Sequence, residues 1–302
     1  MKIIVTGSLG HISKPLTEEL VQKGHTVTVV SSNPEKQGDI KALGAVAAIG
    51  SLQDEDFLKA TFNGADAVYC MVPPANYFDH SLDLLGYYHK IGNNYKSAIQ
   101  HSGVKRVVNL STFGGDLEEG NGILLGAHDV EEILNELPSD VAITHIRPTS
   151  FYYNLYNYAS MIKNAGLIAA NYGGDDIVPW VSPIDIADAI ADEIEMLNTG
   201  RNVRYVASEE VTCNETARVL GEAIGMPDLK WVIVPDEQVQ SGLEAIGMNP
   251  KIAAGMIEMY GGLHSGLIAE DYYRNKPAVM GKVKLRDFAK EFATVFKESA
   301  TN

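Results

Sequence analysis

Short apolar runs alternate with stretches of helical periodicity along most of the chain. Lys2-Ile3-Ile4-Val5 is a β-branched run that reads as a strand. It breaks at Thr6-Gly7-Ser8-Leu9-Gly10-His11-Ile12-Ser13, and an amphipathic helix beginning at about His11 carries Leu16, Leu20 and Val21 to Gly24. Gly24-His25-Thr26-Val27-Thr28-Val29-Val30 follows as a second, buried strand. The same reading gives a third strand at 45–50, a helix at 54–62 ending near Gly64, and a fourth strand at 67–72 closed by Pro73-Pro74. Helical spacing resumes over 82–101, then come a fifth strand with its preceding turn at 103–112, a helix at 123–134 and a sixth strand at 142–148. Strands and helices alternating at this spacing predict a Rossmann-type, doubly wound parallel sheet of the α/β class, covered on both faces, with ligands at the carboxyl ends of its strands.

Beyond the sixth strand the pattern is less regular. A turn is expected at 171–176, a short edge segment at Ile177–Val181, and a helix from Pro183 to Leu197 with Ser182 as its N-cap. A last strand of the sheet is expected at 203–207, a helix at 212–225 capped by Thr212 with Glu215 three residues on, and a small strand of a second domain at 231–235. The remainder alternates helical stretches with Gly261-Gly262, Gly266 and Gly281.

The turn after the first strand changes the picture from fold to ligand. A backbone that bends sharply and then approaches a phosphate needs residues without a Cβ, which Gly7 and Gly10 supply. The N–H groups and positive dipole end of the following helix point at such a group. The spacing is Gly-x-x-Gly-x-x-Ser rather than three glycines, with Ser13 small enough for close helix–strand packing. Gly7, Ser8, Leu9, Gly10, His11 and Ile12 are therefore candidate cofactor contacts. Ser31, Met71, Val72, Pro73, Ser111 and Pro148 join them from the carboxyl ends of the other strands.

The loop Ser31-Ser32-Asn33-Pro34-Glu35-Lys36 occupies the place where such a fold chooses between NAD and NADP. No acid precedes Glu35, and no Arg is present. Ser31, Ser32 and Asn33 offer hydrogen bonds to a 2′-phosphate and Lys36 a charge, which favours NADP over NAD; the same residues also fit a plain helix-start turn with Lys36 in solvent.

Composition narrows the class. The chain has 302 residues, 45% hydrophobic and 21% charged, and a net charge of −15. An acidic surface disfavours direct nucleic-acid binding, and no run is long enough to span a bilayer. With Met1 entering a core strand directly, the expectation is a cytoplasmic protein. Cys70 and Cys213 lie far apart without CxxC or His-rich partners, so neither a metal site nor a disulfide framework is expected.

VTGSLGHIS, SSNPEK, MVPP, GVKRVVNLST, HDVEEIL, IRPTSFYYNL, VSPIDIADAIA and RNVRYVAS, in that order, resemble the NmrA-like family, atypical members of the short-chain dehydrogenase/reductase superfamily. The resemblance implies residues 1–155 with 182–208 as the nucleotide-binding domain, and 156–181 with 209–302 as a smaller C-terminal α/β domain for a substrate or partner. Family members include NADPH-dependent quinone reductases and NADP(H)-sensing regulators. The resemblance thus implies a hydride transfer to a quinone or other flat carbonyl, or a cofactor sensor that acts through a protein partner; a homodimer fits either.

The departures matter. The helix at 123–134 lacks the Tyr-x-x-x-Lys pair of typical members, so their acid/base mechanism is missing, and with it the chemistry of a sugar-nucleotide epimerase. His128 lies where reductase members carry a His and is the candidate catalytic residue; it either donates a proton or packs near the nicotinamide. Glu131 and Glu132, on the same helix, read as solvated charges. Ser111 stands in the catalytic serine's place. Phe113 and the cluster Phe151, Tyr152, Tyr153, Tyr156 and Tyr158, with Asn154 as a polar point, either stack on a flat substrate or fill an interdomain core. Phe113, His128, Phe151, Tyr152 and Asn154 are the substrate candidates.

Overall fold

The computed structural model describes residues 1–298, so the last residues of the 209–302 unit, 299–302, lie outside the described residues. β1 (Lys2–Val5), β2 (Thr26–Ser31), β3 (Val46–Ile49), β4 (Ala67–Cys70), β5 (Arg106–Leu110) and β6 (Ala142–Pro148) belong to one sheet. The chain then leaves it for β7 (Ser150–Phe151), β8 (Leu167–Ala170) and β9 (Ile177–Val181), returns with β10 (Arg201–Val206), and goes on to β11 (Glu209–Thr212) and β12 (Lys230–Ile233). The seven-stranded sheet has the order β10-β6-β5-β4-β1-β2-β3. All its pairs are parallel.

Parallel strands buried on both faces need helices on both, and the apolar residues divide accordingly. Leu16 and Leu20 of the helix Ser13–Gln22, with Ile186, Ile190 and Ile194 of Pro183–Glu195, cover one face. Leu58, Phe62, Ile91, Tyr95, Val130 and Leu134, from the helices Glu55–Phe62, Leu84–Ser102 and Leu125–Asn135, cover the other. The winding reverses between β1 and β4, which leaves a crevice at their carboxyl ends. β4 stops at Cys70 because the Met71 N–H leaves the ladder and donates to Thr6 Oγ1 at 3.0 Å.

The smaller sheets correct the reading of the second half. Ile177–Val181 is the middle strand of the order β11-β9-β7, not an edge. Its Pro179 is tolerated because the two-residue β7 pairs only with Trp180 and Val181. β8, too short and alanine-rich to stand out, pairs in parallel with β12. Around them Tyr152, Tyr172, Trp180, Trp231, Phe288 and Phe292 form a separate aromatic core. The two helix caps are as read: Ser182 Oγ accepts from Ile184 N–H and Thr212 Oγ1 from Glu215 N–H. Both cysteines are buried and free, with burial pushing their thiols up. Among the described residues no helix is long and apolar enough to cross a membrane, and no group of three or more His, Cys, Asp or Glu is placed to hold a metal.

Candidate active site at the β1/β4 crevice

Gly7 and Ser8 both adopt left-handed backbone, φ 88° and 56°. For a serine this is uncommon and costs about 1 kcal/mol. It is held by Ser8 N–H donating to Val30 O at 3.0 Å and Ser8 Oγ donating to Ser31 Oγ at 2.9 Å. Only glycine fits at position 7, since a Cβ would lie 2.6 Å from Ser13 Oγ and 2.9 Å from Met71 Sδ. Ser13 is thus a packing residue, and its hydroxyl also donates to Thr6 O at 2.8 Å, which ties the helix start to the end of β1.

The helix begins at Ser13, two residues later than expected, because Gly10 N–H turns back to Gly7 O at 3.2 Å. The N–H groups of Leu9, His11 and Ile12 have no backbone partner among the described residues. They flank a surface cavity of about 300 Å³ lined by Leu9, Gly10, His11, Lys14 and Pro15. Unpaired donors at a helix start beside a cationic Lys14 fit a pyrophosphate. A larger cavity, about 430 Å³ around Tyr156 and Ser160, lies in the aromatic second layer and shares no residue with this turn.

In the loop after β2, Ser31 is buried and Asn33 Oδ1 accepts from Glu35 N–H at 2.9 Å, which is the helix-start turn. Asn33 N–H donates to Ser31 Oγ, so both side chains are engaged within the loop. Ser32 is exposed, and Lys36 makes an exposed pair with Asp39 at 3.2 Å. Those two retain groups to offer a ligand.

Met71, Val72 and Pro73 lie half-buried on the opposite side of the crevice, with Met71 O accepting from Tyr95 OH at 2.7 Å. Ser111 follows β5, and its buried hydroxyl lacks a hydrogen-bond partner among the described residues. Pro148 ends β6 and is buried. His128 Nδ1 lies 2.9 Å from Gly115 O. A carbonyl only accepts, so Nδ1 carries the proton; Nε2, which has no hydrogen bond to a described residue, is then a basic nitrogen in the neutral ring.

Below His128 lies an ionic network that the sequence did not disclose. Arg147, at the end of β6, grips Glu131 with Nε to Oε1 at 2.9 Å and Nη2 to Oε2 at 2.7 Å, both residues being buried. Its Nη1 reaches Asp271 Oδ2 at 3.1 Å, and Tyr205 OH donates to the same oxygen at 2.8 Å. Burial works against the Arg147 charge, but Glu131 and Tyr205 outweigh it and hold the guanidinium above its ordinary value. Asp116, 3.9 Å from Nη1, is pushed up by burial and then by the charge of Asp271. Glu131, expected in solvent, is instead the anchor of its helix.

The aromatic candidates separate. Tyr152 is buried between Trp180 and Phe288, stacked at 6.2 and 5.3 Å, and has no face left for a substrate. Phe113 is likewise packed, edge-on to Tyr272 at 5.7 Å. Phe151 is half-buried and Asn154 exposed. The residue facing the turn is Tyr153, whose ring stacks on His11 at 4.7 Å and on Phe151 at 5.0 Å.

A seven-stranded parallel sheet with a glycine turn at its topological switch point defines a doubly wound, Rossmann-type α/β protein. Residues 1–265 match the NmrA-like family model, and the chain belongs to that family. It is 25% identical over 227 residues to a (4-alkanoyl-5-oxo-2,5-dihydrofuran-3-yl)methyl phosphate reductase of Streptomyces griseus, covering 74% of each chain. Two solved structures share its fold at 17% identity. The triphenylmethane reductase of Citrobacter sp. has a TM-score of 0.77 over 97% of this chain and 100% of its own. The NADPH-dependent quinone oxidoreductase of Escherichia coli, in complex with NADPH, has 0.73 over 96% and 99%.

Proposed function

We propose that this protein is an NADPH-dependent oxidoreductase that reduces a quinone or another flat carbonyl compound. The observation that carries the reading is the glycine turn at the β1/β4 reversal, with the N–H groups of Leu9, His11 and Ile12, which have no backbone partner among the described residues, and Lys14 around an open cavity. The NADPH-bound structural neighbour supports the cofactor, and the reductase relative supports the class of reaction. NADPH supplies the hydride when bound. Leu9, His11 and Ile12 would donate to its pyrophosphate from the backbone, and Ser32 and Lys36 would take the 2′-phosphate once Lys36 exchanges Asp39 for it. Ser111 and His128 would flank the reacting end.

His128 decides the style of chemistry. With Nδ1 donating to Gly115 O, Nε2 gives up a proton only from the imidazolium, so the neutral ring has no proton there to supply as a general acid. A quinone's product oxyanion is stable and needs less acid assistance than an alkoxide, so His128 positions the acceptor rather than protonating it. His128→Asn is therefore expected to lower turnover by less than about a hundredfold, below the usual range of a lost general acid, with NADPH affinity unchanged. Stopped-flow single turnovers check this; a larger fall with cofactor binding intact contradicts the positioning role.

The missing Tyr-x-x-x-Lys pair on the helix Leu125–Asn135 favours a second reading, a sensor that binds NADP(H) without turnover and presents the bound state to a protein partner.

A further inference from the structure

Four tyrosines that the proposed reaction has not used meet beside the crevice. Tyr77 lies on the segment between β4 and the helix Leu84–Ser102, shortly after Met71-Val72-Pro73. That segment is strapped to the second layer: Asn249 N–H donates to Tyr77 O at 2.9 Å, and Asn249 Nδ2 donates to Asp79 O at 3.0 Å. Tyr87 and Tyr88 meet edge-to-face at 6.1 Å on the first turn of the helix. Tyr88 also packs so closely on Gly126 that a Cβ there would sit 2.6 Å from its ring, which places it against the helix turn that carries His128. Tyr153 closes the other side through its stack on His11 at the glycine turn. The Tyr77 phenol is within electrostatic range of the other three.

None of the four hydroxyls makes a hydrogen bond to a described residue, and all four are half-buried. Burial holds each phenol protonated, Tyr153 being pushed up to about 12 by burial and then by Tyr77. A hydroxyl drawn out of water without a partner is a donor for an acceptor from outside. Resting on the reductase reading, we infer that Tyr77, Tyr87, Tyr88 and Tyr153 form the acceptor subsite and hold a planar molecule by O–H donation to the carbonyl oxygens at its rim. The substrate contacts thereby move from the buried Phe113 and Tyr152 to these tyrosines, which lie between His11 of the glycine turn and the helix of His128.

The test is calorimetric titration of 1,4-naphthoquinone into the protein alone and loaded with NADP⁺, which binds without turnover. Tyr77→Phe and Tyr153→Phe are each expected to weaken binding by about fivefold to tenfold, the worth of one hydrogen bond. NADPH affinity and thermal midpoint should stay as in the wild type, and Tyr156→Phe, in the aromatic second layer, should change neither. Naphthalene, which lacks carbonyls, should bind more weakly than the quinone. Naphthoquinone that fails to bind the wild type, or binds both variants with wild-type affinity, overturns the subsite. Failure of NADPH to bind overturns the cofactor reading instead, while the quinone titration into the unloaded protein still judges the tyrosines.

Discussion

Gly10→Leu is expected to weaken NADPH binding by at least about a hundredfold and to leave the fold intact. The backbone of Gly10 lies outside the left-handed region, and a Cβ there meets only Gly7 O at 3.2 Å, so a side chain is accommodated with a small shift. The leucine then extends into the cavity bounded by Leu9, His11 and Lys14, where the pyrophosphate would sit against the free N–H groups. Calorimetry is expected to show affinity reduced by at least about a hundredfold, ~2.7 kcal/mol, with the thermal midpoint nearly unchanged. Gly7 is the poorer probe. Its φ of 88° and the 2.6 Å approach to Ser13 Oγ mean that Gly7→Ala strains the protein itself, and lost binding would merely report that strain. The same titrations with NADH set the selectivity: wild-type protein should bind NADPH more tightly, and equal affinities would remove the role given to Ser32 and Lys36.

Arg147→Met should cost the most stability. It leaves Glu131 buried without its bidentate partner, and Asp271 and Asp116 without the only cation among them in this network. Breaking a buried pair from one side typically costs about 3–5 kcal/mol, the magnitude expected here in urea unfolding. Replacing Arg147 and Glu131 together with apolar residues should cost much less, because no charge is then stranded. A loss below about 1 kcal/mol in the single variant would show that water reaches the network and screens it.

The seven-stranded sheet was legible because its signals are local. Strands β1 to β4 are each one apolar run, the longer helices are each one periodic stretch, and the glycine turn is read within a few residues of itself, whereas the short polar helix Lys36–Ala42 gave no such signal. What stayed hidden depends on residues far apart in sequence. Tyr152 and Tyr153 are neighbours of one type, yet the first enters the aromatic core and the second meets His11, because the 3₁₀ helix Tyr152–Tyr158 fixes their directions and no sequence period announces it. Glu131 resembles its exposed neighbour Glu132 until β6 brings Arg147 beneath it. Tyr77, Tyr87 and Tyr88 follow a Pro-Pro break and read as loop and surface helix; only the strap to Asn249 and the contact with Gly126 gather them. In the loop after β2 the sequence allowed both a phosphate site and a helix start. The structure builds the turn from Ser31 and Asn33, with Ser32 exposed and Lys36 paired with Asp39.

The most direct measurement follows NADPH absorbance in the presence of wild-type protein and 1,4-naphthoquinone. The expected result is oxidation of NADPH that saturates in both compounds and is lost in Gly10→Leu. Tight NADPH binding with no consumption, across a panel of quinones and aldehydes, would contradict the reductase reading and leave the cofactor sensor.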